Sequence, residues 1–225
     1  MNKYRLPLLI LVMGLLYIFV IPSEPVAVKL LFKIIPMLLI ITYAYVQAPL
    51  RKQYYDWMLL TGLFFCMLGD AFIIFEFIFG LAAFLIGHLF YMTGFFRKWR
   101  FSKLRFAAII PIGLYAFFMG GEIIRALIRD NNNSLIVPVL LYMTVISLMM
   151  WSAIMTGHKW AIIGSITFGI SDSILSWNMF VTPFASADTL VMITYYTAQF
   201  CIAYSLQAKV SQAAGHSTAS KGIQD

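Results

Sequence analysis

Charge is what this chain has least of. Only 11% of its 225 residues are Asp, Glu, Lys or Arg, whereas 62% are hydrophobic. A soluble domain of that length needs far more polar surface, so the composition excludes one and leaves an all-α polytopic membrane protein. Cysteine is nearly absent. Cys66 and Cys201 both fall within apolar runs, which excludes a disulfide framework and a Cys-based metal site. Of the three histidines, His158 and His216 lie in a loop and the tail, and only His88 lies in an apolar run. A zinc site, which needs several histidines inside a bundle, is therefore not indicated. No G-x-S-x-G, H-E-x-x-H, P-loop or Gly-rich dinucleotide turn occurs. The sequence calls for no metal and no cofactor.

What is present is apolar sequence in eight runs of roughly 17–23 residues, the length that crosses a bilayer. The predicted helices are 5–22, 27–47, 56–76, 79–96, 105–128, 135–156, 159–178 and 187–207. Turn-forming or charged segments separate them, among them PSEP at 22–25, RDNNNS at 129–134 and VTPFAS at 181–186. The first run follows Lys3 and Arg5 but lacks a small-residue cleavage site, so it reads as a membrane helix and not a signal peptide. Residues 1–207 form one eight-helix transmembrane domain in this reading. The small, polar stretch 208–225 is expected to be a disordered cytoplasmic tail.

Sixteen Lys and Arg against nine Asp and Glu give a net charge of +7. In a membrane protein such an excess sets topology and meets anionic lipid, so membrane lipids and not nucleic acid are the expected partners. With eight spans, only Lys29, Lys33, Arg125 and Arg129 fall on one side and all other Lys and Arg on the opposite side. The positive-inside rule then puts both termini in the cytoplasm, and an odd span count would destroy the asymmetry.

Two aspartates stand inside apolar runs without an adjacent counter-charge: Asp70 in LLTGLFFCMLGDAFIIF and Asp172 in AIIGSITFGISDSILSW. A carboxylate at membrane depth costs several kcal/mol unless protonated, paired or hydrated, which marks both as functional candidates. Each is followed five residues on by an aromatic (Phe75, Trp177) and six on by a polar residue (Glu76, Asn178). They fall in the third and seventh predicted helices, about 10 Å from the non-cytoplasmic end at ~1.5 Å per residue. The pattern is that of a parallel four-plus-four duplication about an axis along the membrane normal.

Other candidates gather at that depth. Ser165, Gly169, Asp172, Ser173 and Ser176 share a helix face, and Gly80, Ala83, Gly87 and Gly94 form a small-residue stripe. His88 and Tyr91 lie beside the stripe, three residues apart, while Gln199 can share a face with Tyr195 or Tyr196. With the two acids, these could line one polar cavity within the bundle. Lys29 and Lys33 lie one turn apart at the outer start of the second helix. They are either a snorkelling interfacial pair or, at Lys33, a phosphate ligand.

At these residues the chain resembles the lysoplasmalogenase-like YhhN family of integral membrane proteins. The matching pieces are Lys33-Ile-Ile-Pro36, Gly69-Asp70-Ala-Phe, the segment from Gly80 through His88 to Tyr91, the segment from Phe168 through Asp172 and Asn178 to Phe180, and Thr194-Tyr-Tyr-Thr-Ala-Gln199. They occur in the family's order between residues 29 and 204. The resemblance implies an ether hydrolase that cleaves the vinyl-ether bond of lysoplasmalogens, a lysophospholipid class, to a fatty aldehyde and glycerophosphocholine or glycerophosphoethanolamine. It implies a cytoplasmic membrane in a bacterium or the endoplasmic reticulum in a eukaryote.

The residues suit that chemistry. A vinyl ether yields to acid: a proton added to the β-carbon gives an oxocarbenium ion, which water captures. The protein must supply one protonated acid and one anion, as paired carboxyls do in glycosidases. Asp70 and Asp172 are the expected catalytic pair, with the division of roles open. His88, Tyr91, Asn178, Tyr195, Tyr196 and Gln199 are expected to orient the acids, the water and the glycerol backbone, and Lys33 to hold the phosphate. The alternative is a proton-coupled transporter of lipids or small molecules that uses the same two acids. Pro36, Pro111 and Pro138 do not occupy equivalent places in the two halves, which argues against it.

Overall fold

The computed structural model describes residues 4–22 and 24–207, and every regular element among them is helical. The helices are α1 (Arg5–Phe19), α2 (Val26–Gln47), α3 (Tyr54–Phe72), α4 (Phe77–Arg97), α5 (Lys103–Ala107), α6 (Ile109–Arg129), α7 (Ile136–Thr156), α8 (Lys159–Ser176) and α9 (Ala187–Tyr204). Eight are long and α5 is a single turn. A 3₁₀ turn at Asn133–Leu135 leads into α7, and a π-helical turn at Trp177–Val181 continues α8. The tail expected over 208–225 lies outside the described residues.

The helix ends follow local chemistry. At the start of α3, Gln53 and Asp56 form a reciprocal capping box, in which Gln53 N donates to Asp56 Oδ2 at 2.7 Å. Gly157, at φ +68°, stops α7 in the left-handed conformation that a side chain resists, and the chain turns directly into α8. The predicted helix 105–128 is instead divided at Ala108. Pro111 has no N–H, and its ring crowds the carbonyl four residues back, at Ala107, so the hydrogen-bond ladder restarts as α6.

Among the described residues, four helical segments are long and apolar enough to cross a membrane: Val26–Gln47, Phe77–Arg97, Lys103–Arg129 and Asn133–Thr156. The chain is thus a membrane protein with fewer self-evident spans than the eight expected. α1 is apolar but only 15 residues long. α3, α8 and α9 run 18 or 19 residues and carry Asp56, Asp70, Asp172, Asp188 and Gln199, which lower their hydropathy. The outer surface is apolar where water would demand otherwise: Phe117, Phe118 and Val137 are each mostly exposed.

In lipid, helices gain little from burying apolar surface against one another, and close packing does the joining instead. The closest pairs are α3 with α4 and α8 with α9. A Cβ on Gly87 would stand 2.8 Å from Cys66 Sγ and 3.1 Å from Gly62 O, so α3 and α4 meet nearly backbone to backbone. A Cβ on Gly164 would meet Ala198 O and Ile202 N at 2.9 Å. Around these pairs, α2 packs on α3 and α9, α7 on α4 and α8, and α1 on α2 and α9. α6 sits outermost and joins α7 through a small separate core of Ile123, Leu127 and Val139.

Candidate active site

Helices α1, α3 and α8 end, and α2 and α9 begin, around one cavity of about 470 Å³. Its charged and hydroxyl lining includes Lys29, Lys33, Asp70, Asp172, Asp188 and Tyr195. Four of the sequence candidates, Lys33, Asp70, Asp172 and Tyr195, thus come together from α2, α3, α8 and α9.

Asp70 lies in the last turn of α3, two residues before its end, and is 2% exposed. Both its carboxyl oxygens are engaged. Lys33 Nζ lies 3.4 Å from Oδ1, and Tyr195 Oη donates to Oδ2 at 2.6 Å. Tyr196 steadies the other side of the pair, its hydroxyl donating to the Lys33 carbonyl at 2.9 Å. Tyr196 does not itself line the cavity.

Asp172 has different company. It stands in the last turn of α8 and accepts a hydrogen bond from the Tyr142 hydroxyl of α7 on Oδ2. Among the described residues no cation pairs with it and no other side chain bonds to it. One acid is therefore held by a lysine and a tyrosine, the other by a tyrosine alone.

The remaining candidates lie around this centre and do not line it. His88 is fully buried, and neither ring nitrogen has a hydrogen-bond partner among the described residues. Its ring packs edge-on against Phe168, with centroids 4.6 Å apart, and against Tyr142 at 5.4 Å. Tyr91 Oη donates to Gln199 Oε1 at 2.6 Å, a fully buried bridge between α4 and α9. Asn178 is drawn elsewhere because the π-helical turn carries it past the end of α8. There its Oδ1 accepts from Phe184 N at 3.0 Å and ties down the loop before α9.

An acid's partner and a lining residue were not candidates in the sequence. Tyr142 resembles any interfacial tyrosine until α7 is seen against α8, and Asp188 resembles an ordinary acid in the first turn of α9. Among the described residues no three His, Cys, Asp or Glu side chains converge as a metal donor set.

A second hollow, about 320 Å³ and almost wholly apolar, runs between α1 and α9 past Ile10, Leu11, Gly14 and Phe200. Ile18 borders both this groove and the polar cavity.

The chain is a membrane protein of apolar helices that brings two acids, a lysine and a tyrosine around one cavity. The chain belongs to the YhhN family, which it matches over residues 28–206. It is similar to the protein named lysoplasmalogenase TMEM86B of Mus musculus, with 28% identity over 197 residues that cover 86% of this chain and 82% of the relative. The Homo sapiens protein of the same name is 29% identical over 179 residues, covering 78% of this chain and 74% of the relative. Lysoplasmalogenase TMEM86A of Homo sapiens is 29% identical over 159 residues, covering 64% and 63%. No solved structure matches the chain.

Proposed function

We propose that this protein is a lysoplasmalogenase-type hydrolase that cleaves the vinyl-ether bond of lysoplasmenylcholine or lysoplasmenylethanolamine with its own two carboxyl groups. The observation that carries the reading is the sharing of one cavity by Asp70 and Asp172 with unlike partners. The names of the relatives support the same substrate class.

The unlike partners divide the roles. Asp70, fixed at both oxygens by Lys33 and Tyr195, is the standing anion. Asp172, with one oxygen free of side-chain partners, is the proton donor. Asp172 protonates the β-carbon of the alkenyl chain, and the Asp70 carboxylate stabilises the oxocarbenium ion. Water adds to the cation while Asp70 takes its proton. Asp70 then returns that proton to the departing glycerol oxygen as Asp172 removes the hemiacetal proton. Aldehyde and free glycerophospho-base result, with both acids back in their starting states. The cavity that holds the acids meets the apolar groove at Ile18, which suits a substrate whose reactive bond joins a head group to a single chain, and the groove takes that chain.

The reading includes eight spans with both termini on the cytoplasmic side, in a bacterial cytoplasmic membrane or the endoplasmic reticulum. It also includes the parallel duplication. Lys33 on the second long helix meets Asp70 on the third, as Tyr142 on the sixth meets Asp172 on the seventh. The closely packed α3–α4 and α8–α9 are likewise the third-with-fourth and seventh-with-eighth long helices.

The test is aldehyde release from lysoplasmenylcholine and lysoplasmenylethanolamine by the purified protein, with the saturated alkyl-ether lipid as control. Release from the vinyl ethers alone supports the reading. Uptake of lipid into proteoliposomes driven by a pH gradient, with no product formed, would replace it by the transporter.

A further inference from the structure

Two charges in the cavity have no part in the acid pair. Lys29 lies one turn before Lys33 on α2, and Asp188 stands in the first turn of α9; both line the cavity. The ion pairs among the described residues are Lys33–Asp70, Glu122–Arg125 and Arg129–Asp130, and neither Lys29 nor Asp188 enters one. Their side chains make no hydrogen bond to another described residue either. Lys33, the sequence candidate for the phosphate, is already engaged by Asp70 at 3.4 Å. The unengaged cation of the cavity is therefore Lys29, and it faces the same space as an unengaged anion.

We propose that Lys29 and Asp188 form the head-group subsite, Lys29 taking the phosphodiester and Asp188 the ammonium of a zwitterionic phospho-base; this rests on the hydrolase reading above. An exposed carboxylate in a first helical turn already interacts favourably with the helix dipole, so the position of Asp188 alone says nothing of a ligand. What points to one is the unpaired opposite charge lining the same cavity as the two acids. A lysine ammonium is a compact charge suited to a phosphodiester. Tyr17, on the same lining, adds an aromatic surface of the kind that attracts alkylated ammonium groups. Discrimination follows from repulsion as much as attraction. A phosphoglycerol head satisfies Lys29 but leaves Asp188 beside a net anion with no cation to meet it.

The experiment measures binding of saturated alkyl-ether lysophospholipids of one chain length, with phosphocholine, phosphoethanolamine or phosphoglycerol heads, to the purified full chain in nanodiscs. The wild-type protein binds the two zwitterionic lipids about tenfold or more tightly than the phosphoglycerol lipid, a difference of ~1.4 kcal/mol. Asp188→Lys reverses the order, and Asp188→Asn levels it without adding a charge. Lys29→Gln weakens all three lipids by a similar factor, because each carries the phosphate. An unchanged order in both Asp188 variants, with thermal transitions like the wild type, overturns the subsite. These ligands lack the vinyl-ether bond, so the result is independent of the proposed turnover. Head-group selectivity without aldehyde release would sink only the hydrolase reading, and aldehyde release without selectivity would sink only the subsite.

Discussion

Lys33 Nζ lies 3.4 Å from Asp70 Oδ1 in a part of the molecule where both side chains are nearly sealed from solvent. Breaking a buried ion pair by removing one partner strands the other charge, at a cost of about 3–5 kcal/mol. Lys33→Met should therefore lower the thermal transition sharply. Adding Asp70→Asn to it should restore most of that loss, because both charges are then gone, while aldehyde release stays absent. A double-mutant cycle on thermal stability reads the coupling, and strictly additive losses would show that the pair is not an ion pair in solution.

The two acids should respond alike in rate and differently in stability. Asp172→Asn and Asp70→Asn should each reduce aldehyde release by about 10²–10⁴-fold, the range for a positioned acid or base. Asp70→Asn strands Lys33 and should destabilise the fold. Asp172→Asn strands no cation and should leave the melting temperature close to that of the wild type. Full activity in both variants would remove the mechanism.

Helix packing offers a test that does not involve the chemistry. Gly87→Ala places a methyl against Cys66 Sγ and the Gly62 carbonyl, and should cost about 1–3 kcal/mol of stability. Gly113→Ala, in α6 with nothing within 4 Å of the new carbon, should be neutral or slightly stabilising. Equal effects in a thermal melt would contradict the α3–α4 contact.

The groove between α1 and α9 can be closed selectively. A Cβ on Gly14 would meet only Tyr196, at an ordinary 3.6 Å, so Gly14→Ala should be silent. Gly14→Phe should fill the groove and shift preference toward short-chain lysoplasmalogens, with little change in turnover of the shortest. Rates across a chain-length series report this, and a uniform loss at all lengths would point to damage to the fold instead.

Much of this architecture is written in the chain because apolar runs end at prolines, asparagines and charges. The helices lie within a few residues of where those signals put them. Pro111 redivided one of them, and the π-helical turn after Ser176 swung Asn178 away from the place that periodicity gave it. The acids were legible because a lone carboxylate in an apolar run has few structural uses. Which partner each acid takes was not. Lys33 pairs with Asp70 across 37 positions and Tyr142 with Asp172 across 30, and nothing local distinguishes these residues from interfacial ones. His88 drew notice as a polar residue, yet its surroundings proved to be aromatic rings. Only the tertiary packing decides which neighbours a side chain meets.

Ile18 touches the polar cavity on one side and the apolar groove on the other. A reaction run across that boundary would sort its own products. The glycerophospho-base, with no chain left, would belong to water, and the aldehyde to the hydrocarbon. Each fragment would leave by a separate door into a phase from which it does not return, so removal of the products would drive turnover forward.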